Sequence, residues 1–484
     1  MTKSATLDEF FDRETKDAET EVASQNLLYW TGHPFVDAGL AAILLITNRS
    51  KPEELSKEDV EKAIKFAAEL YATKNWSSGY LHGMIFPNSG LLMANPSMKE
   101  RTPEKIANNL RMLLNEFDAE GSPKCILCGI GKVYAKREIY LSSFPLLGTG
   151  KVPNFFHSAN VHGADICAHC LFLTQFMPIA SYRLSRVLVI HAYPYEIMLE
   201  LTREAINDVK KEKLASQARG FRRPENFLFH IVGEITRKIE NDKFWENASV
   251  TLYYFICNNQ NQVLDVIHIP TPVLRFVAYA SRVDYLGWKR IVAMGWRNVR
   301  KEEDFEKFEK ERRNTVYSRL INNESILPFF YNIKERSVNA KWILLEFYCS
   351  EVMGLDKNLL EFIKEVGDRI VETLEKLPDH KLDDEVRSLE RAEKLYQFEA
   401  FFIRVEKLRQ KLGVKEPLMT FDDFARILTA YGEDINVSWR TVKNLLLFRL
   451  YERLHDRLAR KSEDVKETEN EEVEELSIYG GGVE

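Results

Sequence analysis

Residues 125–128 read CILC and residues 167–170 read CAHC, with 38 residues between the two pairs. Two residues between cysteines let both thiolates of a turn face one tetrahedral ion, and two such knuckles close a structural zinc site. A closed site has no open position for a substrate, so we predict a non-catalytic centre that binds one Zn²⁺. Its four predicted ligands are Cys125, Cys128, Cys167 and Cys170.

Other interpretations of the cysteine pairs stay open at this point. They could be redox-active or merely buried thiol pairs, and one of the nearby histidines, His157, His162 or His169, could replace a cysteine as a ligand. Six cysteines in 484 residues are too few for a disulfide scaffold. We therefore expect an intracellular metal site in a cytoplasmic protein.

The composition is that of a folded globular protein. A length of 484 residues suggests about three domains, or one large domain with appendages. Hydrophobic residues make up 45% and aromatic residues 11% of the chain, which excludes collagen-like, coiled-coil-only and wholly disordered classes. No apolar run reaches 18 residues and the first residues are polar and acidic, so we expect neither a membrane anchor nor a signal peptide.

Charge is unevenly distributed. Residues 461–484 hold nine carboxylates and two lysines, a net charge of −7, so the formal −6 of the whole chain leaves +1 for residues 1–460. The folded part is therefore close to neutral. The high charge and low hydrophobicity of the last segment predict a disordered acidic tail.

Hydrophobic periodicity predicts an α+β fold. Apolar residues at helical spacing fill 58–72 and 103–117, whereas 187–192, 250–257 and 262–269 are typical of β-strands. We predict mixed α/β N-terminal and middle regions, an irregular zinc-knuckle insertion, and a C-terminal α-helical bundle. The predicted divisions are a mainly helical N-terminal region (1–120), the zinc-knuckle insertion (121–180), a basic α/β middle region (181–322), a helical bundle (323–460) and the acidic tail (461–484).

Catalytic motifs fail in detail. Residues 147–151, LGTGK, lack the earlier glycine and the following Ser or Thr of a phosphate-binding loop. No H-x-E stands upstream of the first cysteine pair, as a zinc deaminase requires. His455 and Asp456 lack the further histidines of a metal-dependent phosphohydrolase. We predict no enzymatic activity, with a zinc-dependent nucleic-acid-processing enzyme as the alternative.

Two basic clusters stand out against the neutral body, residues 209–223 and residues 270–300, each with a net charge of +5. Aromatic residues are interleaved with the cations of the second cluster. Cations that neutralise phosphates, with rings available for stacking, suit a polyanion. A solvated face over core aromatics explains the pattern equally well. The candidate nucleic-acid contacts are Lys210, Lys211, Arg222, Arg223, Arg275, Lys289, Arg290, Arg297 and Arg300.

Three further segments carry a family resemblance: residues 30–40 (WTGHPFVDAGL), 145–148 (PLLG) and 154–156 (NFF). Together with the paired CXXC motifs and the helical last third, they resemble the large subunit of type I CRISPR effector complexes (Cascade), in the branch with a CXXC-CXXC zinc finger. The resemblance covers about residues 25–460. His33 is a departure, since relatives are expected to have a small polar residue such as Asn there.

The resemblance implies a non-catalytic subunit of an RNA-guided complex. Such a subunit contacts the crRNA and the backbone, handle-binding and small subunits. It recognises the protospacer-adjacent motif in double-stranded target DNA, assists strand separation, and transiently recruits a helicase-nuclease. In this sequence, Asn154 is a candidate for reading a base edge, and Phe155 and Phe156 are candidates for a wedge. Coverage of the zinc site is the alternative role for both rings.

The resemblance also extends to the C-terminal bundle and to the first motif. The bundle is similar in size and helicity to the small subunit, and Met353 lies where an internal start of a separate product would fall. We interpret Asp37 as part of a helix start and Gly39 as a close-packing position.

Overall fold

The computed structural model describes residues 27–117, 124–130, 139–147, 164–239, 244–296, 302–429 and 434–479. The chain divides into two compact units. The first consists of Met1–Ile235 and Ile239–Thr271, and the second of Thr236–Lys238 and Pro272–Glu484.

The first unit combines helices with an antiparallel sheet, and the α+β class is confirmed. A π-helical segment, Asn75–Ile85, follows the second helix. The helices are α1 (Pro34–Thr47), α2 (Lys57–Ala72), α3 (Pro103–Leu114), α4 (Ala168–Thr174), α5 (Met177–Ala180), α6 (Tyr195–Glu212) and α7 (Pro224–Lys238), which ends in the second unit. The strands are β1 (Tyr182–Arg183), β2 (Val187–Tyr193), β3 (Ser249–Cys257) and β4 (Gln262–Ile269).

The sheet has the order β1-β2-β3-β4, and each neighbouring pair is antiparallel. The three strands predicted from alternating and β-branched residues are confirmed as β2, β3 and β4. A tight turn joins the last two, where the side chain of Asn258 accepts hydrogen bonds from the N–H groups of Gln260 and Asn261 at 2.9 and 2.7 Å. This polar turn fixes the register of the hairpin.

Helix α1 is the central element of the first unit. Every residue from Phe35 to Thr47 is buried, as expected of a helix whose sequence is apolar all round. It packs against α2, α4, α5, α6 and β2. The closest approach is at Gly39, where a Cβ atom would lie 1.7 Å from the carbonyl oxygen of Leu173 in α4. The predicted close-packing glycine is therefore confirmed.

The start of α1 is fixed by two side chains. The Nδ1 atom of His33, the N-cap residue, accepts a hydrogen bond from the N–H of Phe35 at 3.3 Å. Burial lowers the pKa of His33 to about 4, which keeps Nδ1 free to accept. Asn, the small polar residue expected at this position, is also a good N-cap. His33 can therefore cap α1 in its place. The carboxylate of Asp37 accepts from the N–H groups of Thr31 and Gly32 at 2.8 and 3.0 Å.

The second unit is mainly helical. Its helices are α8 (Thr271–Val283), α9 (Tyr285–Met294), α10 (Glu302–Glu311), α11 (Thr315–Ile321), α12 (Trp342–Phe347), α13 (Lys357–Leu374), α14 (Asp379–Glu390), α15 (Leu395–Lys411), α16 (Phe421–Leu428) and α17 (Ile435–Tyr479). A two-stranded hairpin, β5 (Tyr331–Asn332) and β6 (Ser337–Val338), precedes α12.

Helices α13 to α16 all pack against α17. Helix α13 buries a stripe of apolar side chains at helical spacing, which comprises Leu359, Ile363, Val366, Ile370 and Leu374. On α15, the side chains of Phe398, Phe402 and Val405 are buried, whereas Leu395 and Leu408 are half-buried. The helical character predicted for the last third of the chain is therefore present.

The end of the chain differs from its prediction. Disorder was predicted from residue 461, but α17 continues to Tyr479. The physical reason is composition: Glu and Lys are unfavourable in a core but are good helix formers, so a charged segment can continue a helix.

Among the described residues, every helix is too short or too polar to cross a bilayer.

The approach of α1 to α4 gives a direct test of the packing. We expect Gly39→Ala to lower the free energy of unfolding by at least about 2 kcal/mol, because the new methyl group must displace the backbone of α4. Gly79→Ala is the control, since Gly79 lies in a helical segment and its added Cβ meets nothing within 4 Å. Urea denaturation measures both, and equal stability of the two variants would contradict this packing.

Candidate functional site

The first cysteine pair forms a tight turn. The Sγ atom of Cys125 accepts a hydrogen bond from the N–H of Leu127 at 3.4 Å, and the carbonyl of Cys125 accepts from the N–H of Gly129 at 2.9 Å. Gly129 has a φ of +67°, a left-handed conformation that glycine adopts without strain. The turn therefore directs both thiols of the pair to the same side.

The second pair lies at the start of α4. Cys167 is the N-cap residue of that helix, and its Sγ atom accepts from the N–H of Cys170 at 3.5 Å. A backbone hydrogen bond of 2.9 Å, from Ile126 to the carbonyl of Asp165, joins the two knuckles. The segment that leads into the second cysteine pair is thus hydrogen-bonded directly to the turn of the first pair.

The four sulfur atoms form one cluster in which all lie within 4.8 Å of one another. Cys128 is half-buried and the other three thiols are buried. The sulfur atoms of Cys128 and Cys167 are 3.8 Å apart. A tetrahedral zinc ion with Zn–S bonds of about 2.3 Å requires sulfur separations of about 3.8 Å, whereas a disulfide requires about 2.05 Å. The cluster therefore fits zinc, and none of the six cysteines, all of which are described residues, forms a disulfide.

The protonation of the thiols is coupled. The hydrogen bond with Cys128 raises the pKa of Cys125. The hydrogen bonds with Cys167 and Cys170 lower this pKa by more, so that it falls to about 7. The pKa of Cys167 is raised, chiefly by its hydrogen bonds with Cys125 and Cys128. The thiolate of Cys125 is thus stabilised by hydrogen bonds from protonated neighbouring thiols. A bound cation would take the place of those protons, as expected of a metal site.

Tyr29 joins the N-terminal segment to this cluster. Its hydroxyl donates to the Sγ atom of Cys128 at 3.8 Å, and its ring stacks on His169 with 3.9 Å between centroids and 6° between planes. Its backbone N–H donates to Nε2 of His169 at 3.4 Å. Donors to ligand atoms orient metal ligands and tune the metal affinity. Tyr29 therefore supports the half-buried sulfur ligand.

His169 does not belong to the ligand cluster among the described residues. Its ring is buried between Tyr29 and Phe117, whose ring meets it edge-on at 5.5 Å. Burial lowers the pKa of His169 to about 4, so the imidazole is neutral. Replacement of a cysteine by this histidine is thus not supported. His157 and His162 lie outside the described residues.

The candidate cations of the basic clusters fall into two groups. Lys210 is half-buried and donates to the carbonyl of Leu45 at 2.8 Å, which ties α6 to the end of α1. Arg275 forms an ion pair of 3.1 Å with Glu351, and the ammonium of Lys289 lies 5.1 Å from the ring centre of Phe305. The exposed candidates are Lys211, Arg222, Arg223 and Arg290. Asn154, Phe155, Phe156, Arg297 and Arg300 lie outside the described residues.

The aromatic residues of the second basic cluster are mostly core residues. Phe276, Trp288 and Trp296 are each at most 5% exposed. Tyr279 stacks on Phe347 with 3.8 Å between ring centroids, and Tyr285 lies under the guanidinium of Arg237 at 4.6 Å. Rings buried in a core cannot stack on a base. The interpretation of these aromatic residues as core therefore holds for three of the five.

Comparison with known proteins adds one finding. Residues 118–182 match a family described as "CRISPR-associated protein (Cas_CXXC_CXXC)". The match supports a CRISPR-associated protein. The matched range holds all four clustered cysteines, so the part of this chain that is similar to the CXXC-CXXC family contains the cluster that fits zinc. No curated protein matches the chain, and no solved structure does.

Sequence reasoning did not identify Tyr29 as a contact of the cysteine cluster. A lone tyrosine far upstream of the first cysteine pair carries no local signal. The contact exists because α1, which follows Tyr29, packs against α4, which begins at the second cysteine pair.

Tyr29→Phe isolates the hydroxyl, because phenylalanine keeps the stack on His169. We expect zinc to be released to a chelator roughly 10-fold faster from this variant, since loss of a donor to a ligand typically costs 10- to 100-fold in metal affinity. Absorbance of a zinc-binding dye follows the release. Tyr396→Phe, at a tyrosine that is 62% exposed in the second unit, is the control. Identical release from all three proteins would show that the hydroxyl plays no part in zinc retention.

Proposed function

We propose that this chain is the non-catalytic large subunit of a type I CRISPR effector (Cascade) complex. In this proposal it recognises the protospacer-adjacent motif in double-stranded DNA, assists strand separation and recruits the helicase-nuclease. The single observation that carries the proposal is the family match over the paired CXXC motifs, whose cysteines form one metal-binding cluster.

The chemistry of the cluster supports a structural role for the metal. Four thiolates fill the tetrahedral shell of zinc, whereas a catalytic zinc ion keeps one position for water or substrate. With four cysteines as ligands, the expected contribution of the ion is the stiffening of the insertion. A rigid insertion is what a protein needs to present side chains to a DNA groove.

A modest number of cations suits this role. In RNA-guided complexes, sequence choice is delegated to base pairing with the guide, and the protein contacts the backbone and a short motif. Lys211 and Arg223 in the first unit, and Arg290 in the second, are exposed and are the candidates for phosphate contacts. Lys210 and Arg275 are better explained as structural residues, because they are engaged within the fold.

The proposed partners follow from the same assignment. They are the crRNA, the target DNA, and the backbone, handle-binding and small subunits, with the helicase-nuclease as a transient partner. Helices α13 to α17 are the part of this chain that we propose to serve in the manner of the small subunit.

DNA binding by the purified chain tests the proposal. We expect the combined variant Lys211→Glu, Arg223→Glu and Arg290→Glu to bind a short duplex at least 10-fold more weakly at low salt, with a flatter dependence of affinity on salt, because phosphate contacts release counterions. None of these three side chains forms an ion pair with another described residue, so their reversal leaves the fold intact. Fluorescence anisotropy at graded salt measures the slope.

The control carries the same charge change elsewhere. It combines Lys407→Glu, Lys411→Glu and Lys415→Glu, at exposed positions in and after α15. If both triple variants weaken duplex binding equally, the effect is one of net charge alone. If the first variant binds the duplex as tightly as the wild-type chain does, the two basic clusters are not part of the DNA interface.

A further inference from the structure

One tryptophan differs from all the others in its exposure. The chain has seven, and all lie within the described residues. Six are at most 7% exposed: Trp76, Trp245, Trp288, Trp296, Trp342 and Trp439. Trp30 is half-buried. A large ring left partly in water has no explanation in the core of the protein.

Trp30 belongs to a group of three aromatic side chains. Its ring is parallel to that of Tyr195, at the start of α6, with 4.1 Å between centroids and 5° between planes. Tyr193, the last residue of β2, meets Tyr195 edge-on at 5.7 Å and is 60% exposed. The loop before α1 and the junction of β2 with α6 thus bring three rings together, of which Tyr193 is exposed and Trp30 and Tyr195 are half-buried. We call this group the aromatic platform.

The platform is held rigidly from beneath. Burial, and after it the negative charge of Asp37, raise the pKa of the Tyr195 hydroxyl, and Asp37 itself is fully buried in α1. The carboxylate of Asp37 accepts from the N–H groups of Thr31 and Gly32, which directly follow Trp30. His191 of β2 lies on the same carboxylate, with its Nε2 atom 3.2 Å from Asp37. One buried carboxylate therefore fixes the loop that carries Trp30 before any ligand arrives, which lowers the entropic cost of binding.

Space is available beside the rings. Gly32 has a φ of +80°, and a Cβ atom added there would meet nothing within 4 Å among the described residues. A ligand can therefore approach the backbone next to Trp30 closely. The immediate neighbours are polar or small, namely Thr31, Gly32 and the exposed Glu196. A protein partner would favour a wider apolar patch, whereas a flat heteroaromatic ring needs only a planar surface of its own size.

We propose that the aromatic platform of Trp30, Tyr193 and Tyr195 stacks an unpaired nucleobase of the opened DNA. This inference rests on the proposed function, in which strand separation near this subunit exposes unpaired bases. The platform contributes stacking and no positive charge. Its contribution is therefore specific to unpaired bases and independent of salt, unlike that of the exposed cations.

The test compares two DNA probes of equal length, one fully paired and one with a short central bubble of unpaired bases. We expect the full-length chain to bind the bubble more tightly than the duplex. Trp30→Leu should lower affinity for the bubble about 10-fold, in line with the loss of one base stack, and leave duplex affinity and the salt slope unchanged. Quenching of tryptophan emission by the bubble probe should disappear with Trp30, since the other six tryptophans are buried.

Two further variants keep the result interpretable. Tyr193→Ala removes a ring that is 60% exposed, so it tests the platform if Trp30→Leu lowers stability. Tyr396→Ala removes a ring of similar exposure, 62%, on α15 and should change nothing. Bubble binding that survives both platform variants overturns this inference and leaves the proposed function standing. Absence of binding of either probe by the wild-type chain overturns both.

Discussion

Four sulfur atoms within 4.8 Å of one another are the constraint on which the first unit depends. They come from two turns that lie 38 residues apart in the sequence. Ordering the chain between two distant turns costs conformational entropy. A metal ion held by the four thiolates would offset part of this cost, because ligand binding to the folded state is linked to folding.

The consequence of this constraint extends beyond the insertion. Cys167 is the N-cap residue of helix α4, and Gly39 of α1 packs against the backbone of Leu173 in that helix. Helix α1 in turn packs against β2 of the sheet. A continuous series of direct contacts thus connects the metal cluster to the sheet. Loss of the ion is expected to loosen α4 first and the packing of α1 next.

The loop of residues 29–33 links the cysteine cluster to the aromatic platform. Its first residue, Tyr29, donates to the Sγ atom of Cys128, and the next, Trp30, forms part of the aromatic platform. Asp37 fixes the loop through two backbone N–H groups. A base stacked on Trp30 and an ion bound by the cysteines would therefore stabilise the same loop conformation. This arrangement couples the rigidity of the metal centre to the placement of the platform.

Local sequence signals predicted the elements whose formation is local. Strands β2 to β4 follow from period-2 patterns, and the meeting of the four cysteines follows from knuckle spacing. Side-chain roles that depend on tertiary packing did not follow. Lys210 and Arg275 belong to basic clusters in sequence, yet one ties two helices together and the other is neutralised by Glu351. Trp288 is an aromatic residue within a basic cluster, as a base-stacking residue would be, but its side chain is buried in a core.

X-ray absorption spectroscopy at the zinc edge, with the metal content of the same sample, determines whether the four cysteines bind zinc. We expect one zinc ion per chain with four sulfur neighbours at about 2.3 Å. Zinc with nitrogen or oxygen neighbours in place of sulfur, or a folded chain that contains no metal and has its four cysteines in disulfides, would contradict it.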